Sequence, residues 1–305
     1  MMDQNQRIIV GLGEVLWDLL PSGKQLGGAP ANCVYNVNCL GDRGFLASAV
    51  GDDHLGRELV DQLRQNPLSL DYLQVTRARP TGSVPVEVDA GGQPMFTITE
   101  EVAWDFLKWT PEWQELALSA DAVCFGSLAQ RSPRSSATIR SFLESTRHNA
   151  LRVFDVNLRD PFCSPEVVLQ SLEMANIVKL NSEELVRVLR MVDISERDPE
   201  SAALKLLRAF QLHLVCVTRG ADGSLLVSLD DASEHPGFPV AVVDTVGAGD
   251  AFTAVLTCLY LRGSTLATIA EAGNRLGAWV ASQPGATPQT TRQMAQDVLQ
   301  TAGRV

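Results

Sequence analysis

The segment Asp244–Phe252, DTVGAGDAF, is a loop of small residues with an aspartate near each end, and it leads straight into the apolar run AFTAVLTCLYL. A Gly-Ala-Gly turn that opens a helix leaves backbone N–H groups free at the positive end of the helix dipole, which suits an anion. Gly247 and Gly249 also let the backbone approach a ligand closely. Asp250 then has two readings. It is an acidic residue that stabilises a helix start, or a chemical group placed beside a bound anion.

From this segment onward the pattern is helical, over 249–262, 265–282 and 290–301. Upstream, apolar runs alternate with amphipathic stretches. RIIVGLG (7–13), FLASAVG (45–51), DAVCFG (121–126), LRVFDVN (151–157), NIVKLN (176–181) and LVCVTRG (214–220) read as strands covered on both faces. LGRELVDQLRQ, SSATIRSFLEST and SEELVRVLRMV read as helices between them. This rhythm predicts an α/β fold with a doubly wound, mostly parallel sheet flanked by helices, as one domain over 1–305. Residues 14–28, EVLWDLLPSGKQLGG, and 82–99, GSVPVEVDAGGQPMFTIT, break the rhythm and look like antiparallel strands, the second with a hairpin signal at DAGGQ. Inserted from about 14–28 and 80–105, they form either a small β-sheet lid over the sheet's C-terminal edge or a plain extension of the sheet.

The formal net charge of −11, with no stripe of Lys and Arg, argues against nucleic acid and acidic membrane surfaces as partners. No apolar run is long enough to span a bilayer, and the polar opening MMDQNQR has no signal-peptide pattern, so a cytoplasmic location is expected. The six cysteines form no CxxC pair and the four histidines have no ligand spacing, which points to reduced, mostly buried thiols.

The familiar phosphate motifs are missing. PSGKQ lacks the upstream glycine and following Ser/Thr of a P-loop, and GLGEVL lacks the third glycine of a dinucleotide fingerprint. LGGAPANCVYNV (26–37) instead repeats the device of the opening segment, with two glycines, Pro30 near a helix start and Asn32 on its first turn. Gly27, Gly28 and Asn32, with Asp18 on the preceding strand, could present polar groups to a hydroxylated ligand, although for Asn32 taken by itself capping the helix is the favoured role. DVNLR puts Asp155, Asn157 and Arg159 on one side of a strand end, either as a surface ion pair or with Arg159 reaching a ligand.

Taken together, GEVLWDLLP, LGGAPANCVYNVNCLG, VGDDHLGREL, DVNLRDPF, KLNSEE, VTRGADGS and DTVGAGDAF resemble, in order, the motifs of the PfkB (ribokinase-like) family of carbohydrate kinases. EEVAWDF and the GE-x-L-x-D opening are most similar to its fructokinase branch. The resemblance implies ATP in a groove of the α/β core and a sugar beneath the small sheet. It implies Asp250 as catalytic base, Gly247, Ala248 and Gly249 as anion hole, and Asp18, Gly28 and Asn32 as partners of sugar hydroxyls. Asn181 and Glu184 match the element that organises magnesium and phosphate, although NSEE is also a plain helix-capping pattern. Thr218, Gly220 and Gly223 match the nucleotide loop, Asn274 lies on the helix flanking adenine, and Asp244 matches a monovalent-cation site, with potassium the expected ion. The implied activity is ATP-dependent phosphorylation of a small sugar, fructose first. The alternatives are ribose, 2-keto-3-deoxygluconate, or a non-catalytic sugar or nucleotide sensor, and a homodimer through the small sheet is compatible with the resemblance.

Overall fold

The structure is a computed structural model that describes residues 6–300 apart from 22, 67, 89–93 and 291. The chain starts with β1 (Ile8–Leu12), rises into β2 (Leu16–Leu20) and β3 (Gly23–Gly27), and returns through α1 (Ala29–Cys39), β4 (Arg43–Gly51), α2 (His54–Gln65) and β5 (Leu73–Thr76). A second excursion, β6 (Gly82–Val88) and β7 (Pro94–Phe96), precedes α3 (Pro111–Ser119), β8 (Ala122–Gly126), α4 (Pro133–Glu144) and β9 (Leu151–Asp155). Then follow α5 (Pro165–Met174), β10 (Ile177–Asn181), α6 (Ser182–Met191), α7 (Pro199–Ala209) and β11 (Leu214–Thr218). The chain closes with β12 (Ser224–Val227), β13 (Ala232–His235), α8 (Ala248–Leu261), α9 (Leu266–Ala281) and α10 (Arg292–Gln300).

Local chemistry sets many of these boundaries. Thr110, Ser164 and Asp198 each accept an N–H from the first turn of α3, α5 and α7, and each is followed by a proline whose missing N–H costs the helix nothing there. The main sheet has nine strands in the order β13-β12-β11-β10-β9-β8-β1-β4-β5. It is parallel from β5 through β11, and β12 and β13 turn back antiparallel at one edge. β5, β12 and β13 escape a reading of apolar runs because each has only four residues, and β13 is not buried on either face.

Because side chains alternate along a strand, the sheet divides the core in two. Val178 and Leu180 face α3 to α7 with Phe142, Leu172 and Leu206, while Ile177 and Val153 face α1, α8 and α9 with Val37, Val255 and Leu276. The small sheet has the order β3-β2-β6-β7. Its two hairpin pairs are antiparallel as expected, but β2 runs parallel to β6, because a long excursion through the main sheet, not a turn, connects them. The DAGGQ turn lies outside the described residues. Trp17 and Leu26 anchor this sheet on Val34 of α1 and on Leu59 and Leu63 of α2. Asp18, one residue on from Trp17, is directed to the other side.

β1 sits between β4 and β8, so the chain leaves it on one side and later returns on the other. Open parallel sheets bind ligands at the C-terminal strand ends beside such a switch point. Both excursions into the small sheet start from that edge. No helix among the described residues is long and apolar enough to cross a membrane.

Candidate active site

Helix α8 begins at Gly247, whose φ of 80° is left-handed. A Cβ there would lie 2.5 Å from the carbonyl oxygen of Ala286, so both conformation and space call for glycine. No side chain caps the helix. Ala248 donates weakly to the Thr245 carbonyl at 3.3 Å, and the regular ladder starts with Ala251 donating to Gly247 at 2.9 Å. The N–H groups of Gly249 and Asp250, between them, have no acceptor among the described residues. They form an open donor pair at the positive helix end.

Across from α8, α1 starts at Gly28, with φ 108° and no room for a Cβ against the Glu14 carbonyl at 2.6 Å. Asn32 does not cap α1. Its amide Nδ2 donates to Asp250 Oδ2 at 2.8 Å, while its buried Oδ1 has no partner among the described residues. The two glycine-started helices are thus tied together through the carboxylate that the sequence singles out. Gly27 belongs here as well, since a Cβ on it would lie 2.5 Å from Asp18 Oδ2.

The carboxyl groups of this pocket share one electrostatic condition. Burial, and next the charge of Asp155, pushes Asp250 up to about 6, against the pull of Lys179, the Asn32 amide and Arg159. Burial, with Asp244 adding to it, pushes Asp18 up to about 6 against Arg159. Glu14, on the loop after β1, is pushed up to about 7 by burial first and by Asp250 next. Its Oε2 is buried and has no partner among the described residues. Glu14 was not among the candidates, though a carboxyl directly after the apolar run RIIVGLG was the available signal. Arg159 is exposed, its guanidinium donates to the neighbouring Leu158 carbonyl at 3.1 Å, and its charge acts on all three carboxyls.

On the other flank, Asn181 and Glu184 form a reciprocal capping box at the start of α6, each accepting the other's backbone N–H at 2.8 Å. Glu184 Oε1 also accepts the Leu158 N–H at 2.8 Å, fixing the loop that carries Arg159. Thr218, beside Asn181 in register, ends β11 and donates to the Leu180 carbonyl at 3.4 Å. Gly220 and Gly223 both have positive φ, 59° and 82°, and the turn between them packs on the backbone of His235 and Gly237. Asn274 is buried, and its Nδ2 donates to Ser224 Oγ at 2.8 Å and to the Ala270 carbonyl, which ties α9 to β12. Asp244 accepts N–H groups from Val246 at 3.0 Å and Gly285 at 3.2 Å, joining the loop before α8 to the chain after α9.

Two further ion pairs are buried. Asp155 turns inward to meet Lys179, so the surface reading of that strand end does not hold: the end of β9 is covered by α8. In the AWDF segment, Asp105 is paired with Arg131 at 2.8 Å, and the guanidinium lies between Trp104 and Phe162, 4.1 and 4.5 Å from their centroids.

The chain as a whole is similar to known proteins. The pfkB family carbohydrate kinase model matches residues 22–292. The chain is 33% identical over 257 residues to a fructokinase of Salmonella typhimurium, covering 80% of this chain and 81% of that one. It shares its fold with the crystal structure of a fructokinase with bound ATP from Xylella fastidiosa, at TM-score 0.83 and 21% identity over 97% of this chain and 99% of the other. A sugar kinase of Pyrococcus horikoshii in complex with ATP gives TM-score 0.79 at 26% identity, over 96% and 100% of the two chains. With an open helix end beside a buried carboxylate at the switch point of its sheet, the chain belongs to the pfkB family of carbohydrate kinases, on its fructokinase-like branch, and is an ATP-dependent sugar kinase.

Proposed function

We propose that this kinase phosphorylates fructose on its terminal primary hydroxyl. The carrying observation is the acceptor-rich surrounding of Asp250: the carboxyls of Glu14, Asp18 and Asp250, which share one cation, Arg159, and the buried Asn32 oxygen, which has no partner among the described residues. A neutral polyhydroxyl ligand supplies donors to such a set, whereas a sugar acid would bring a further anion into it. The fructokinase relative supports the same choice.

In this reading Asp250 takes the proton of the attacking hydroxyl as its oxygen bonds to the γ-phosphorus, while the β,γ-bridging bond breaks and ADP leaves with the electron pair. Held near 6, Asp250 is mainly ionised at neutral pH yet basic enough to accept that proton. The Asn32 amide holds the carboxylate in place. The free N–H groups of Gly249 and Asp250 stabilise charge on the transferring group. A sensor would need none of this alignment between a buried base and an open helix end.

Glu184 fits magnesium through water, because both of its oxygens already accept backbone N–H groups and each keeps a second lone pair. Among the described residues no group of three or more His, Cys, Asp or Glu is placed to hold a metal ion, which fits a cation carried in on the triphosphate. There it would neutralise phosphate charge. We assign potassium to the junction that Asp244 makes with Gly285.

A coupled ADP-release assay over fructose, ribose and 2-keto-3-deoxygluconate tests the substrate. Fructose is expected to have the highest kcat/KM. A preference of about tenfold for either of the others, some 1.4 kcal/mol, overturns fructose and leaves the enzyme class standing.

A further inference from the structure

Strand β10 carries a lysine inside the apolar run IVKLN, covered on both faces. Lys179 stands in register with Asp155 of β9, and both are buried, at 7% and 6% exposure. The ammonium donates to the two Asp155 oxygens at 3.0 and 3.1 Å, and Thr253 of α8 donates its hydroxyl to Asp155 Oδ2 at 2.7 Å. Burying such a pair costs desolvation energy that the ion pair seldom recovers, so stability alone is a poor reason to have one here.

Its position supplies a better reason. Lys179 Nζ is 2.9 Å from where a Cβ of Gly249 would be, directly under the turn whose N–H groups are free. An ammonium has three protons, and Asp155 engages it from one side. We propose that Lys179 is a positioning residue for phosphoryl transfer: clamped by Asp155 and Thr253, its ammonium supports the Gly249 turn from below and sets a fixed positive charge beside Asp250.

The surrounding charges agree in sign. Burial is the largest influence raising Asp250 and Asp155 the next, while Lys179 is the largest influence holding it down. The groups that face Asp250 are Glu14 after β1, Asn32 and Cys33 on α1, Asp155 and Arg159 at and beyond the end of β9, and Lys179 on β10. Lys179 is itself faced by Glu184 and Cys216. Removing Lys179 leaves Asp155 uncompensated, so Asp250 would hold its proton to higher pH.

This inference rests on the kinase chemistry of the site and not on which sugar is used. The experiment therefore employs whichever sugar the wild-type enzyme turns over best, so a wrong sugar shows in the wild-type panel and a wrong role for Lys179 in the ratio of variant to wild type. Lys179→Met is expected to lower kcat at pH 7 by about tenfold or more, with the KM for sugar changed by less than about threefold. The acidic limb of its kcat profile should move to higher pH. Glu14 titrates in both enzymes, so the difference between the two profiles isolates Lys179. If Lys179→Met does not fold, the charge-neutral pair Lys179→Met/Asp155→Asn decides the matter. It removes both charges while an amide can still accept from Thr253, so its limb should return toward the wild type while kcat stays low. Full kcat in that double variant, or an unmoved limb with unchanged kcat in a folded Lys179→Met, overturns the proposal.

Discussion

Helices α6 and α8 both start at the C-terminal edge of the main sheet, and they treat their first turns in opposite ways. At α6 the turn is closed, with Asn181 and Glu184 exchanging hydrogen bonds across it and Leu158 adding a third. At α8 the cap is a left-handed glycine, no side chain closes the turn, and the N–H groups of Gly249 and Asp250 are left open among the described residues. Every helix start has orphan donors to satisfy. Where side chains satisfy them, the turn becomes a rigid strut; where none does, the donors remain for a ligand. In the function proposed above, the open turn of α8 receives the transferring phosphate, while the closed turn of α6 holds Arg159's loop and ends Lys179's strand.

The comparison breaks most clearly at Asp250. Asp250→Asn keeps the shape and the contact with Asn32 but removes the proton acceptor, so kcat should fall by about 10²–10⁴ with nucleotide affinity little changed. A stable variant with near-normal turnover would reduce Asp250 to a helix-start residue. The next effect is steric. Gly249→Val places a branched side chain on Lys179 Nζ, which stands 2.9 Å from the new Cβ, so turnover and nucleotide affinity should drop together. Loss of turnover with intact nucleotide binding would show that this position does not touch the phosphate.

Acid separates function from stability at the open turn. Asp250 and Asp18 are raised to about 6 and Glu14 to about 7, all above their ordinary values. Between about pH 4 and 7 the folded chain thus binds more protons at these groups than the unfolded chain, and their share of stability falls as pH rises. Lowering pH from 8 to 6 should raise the melting temperature while kcat declines, and Asp250→Asn should flatten the melting slope. A melting temperature that falls with kcat over this range contradicts the buried state of these carboxyls.

The smallest expected effect lies at the closed turn. Asn181→Ala removes a cap worth roughly 0.5–2 kcal/mol and should lower stability by about that much, with kcat reduced less than about tenfold. A larger loss of kcat in the folded variant would sharpen the comparison by giving the capped turn a part in the chemistry.

The parallel sheet was legible in the sequence because strands covered on both faces are nearly continuous in apolar residues, as in LVCVTRG and DAVCFG. The short edge strands β12 and β13 were not, since four residues carry little periodicity. The glycine turns, and the place of Asp250 on the first turn of a helix, were legible from residue type alone. Lys179 and Glu14 were not among the candidates, although each stands out as a charge in or directly after an apolar run.

What the sequence by itself determined was the α/β rhythm, the two glycine-started helices and the kinship that their motifs carry. Only the tertiary structure decided which charges meet. Asn32 reaches Asp250 across 218 positions of chain, Thr253 reaches Asp155 across 98, and Lys179 finds Asp155 because neighbouring parallel strands set their register. Periodicity and capping are local properties, readable over one or two turns of chain. A pKa, an ion pair or an open helix end depends on which distant segments arrive to bury or satisfy it, and that is settled by packing.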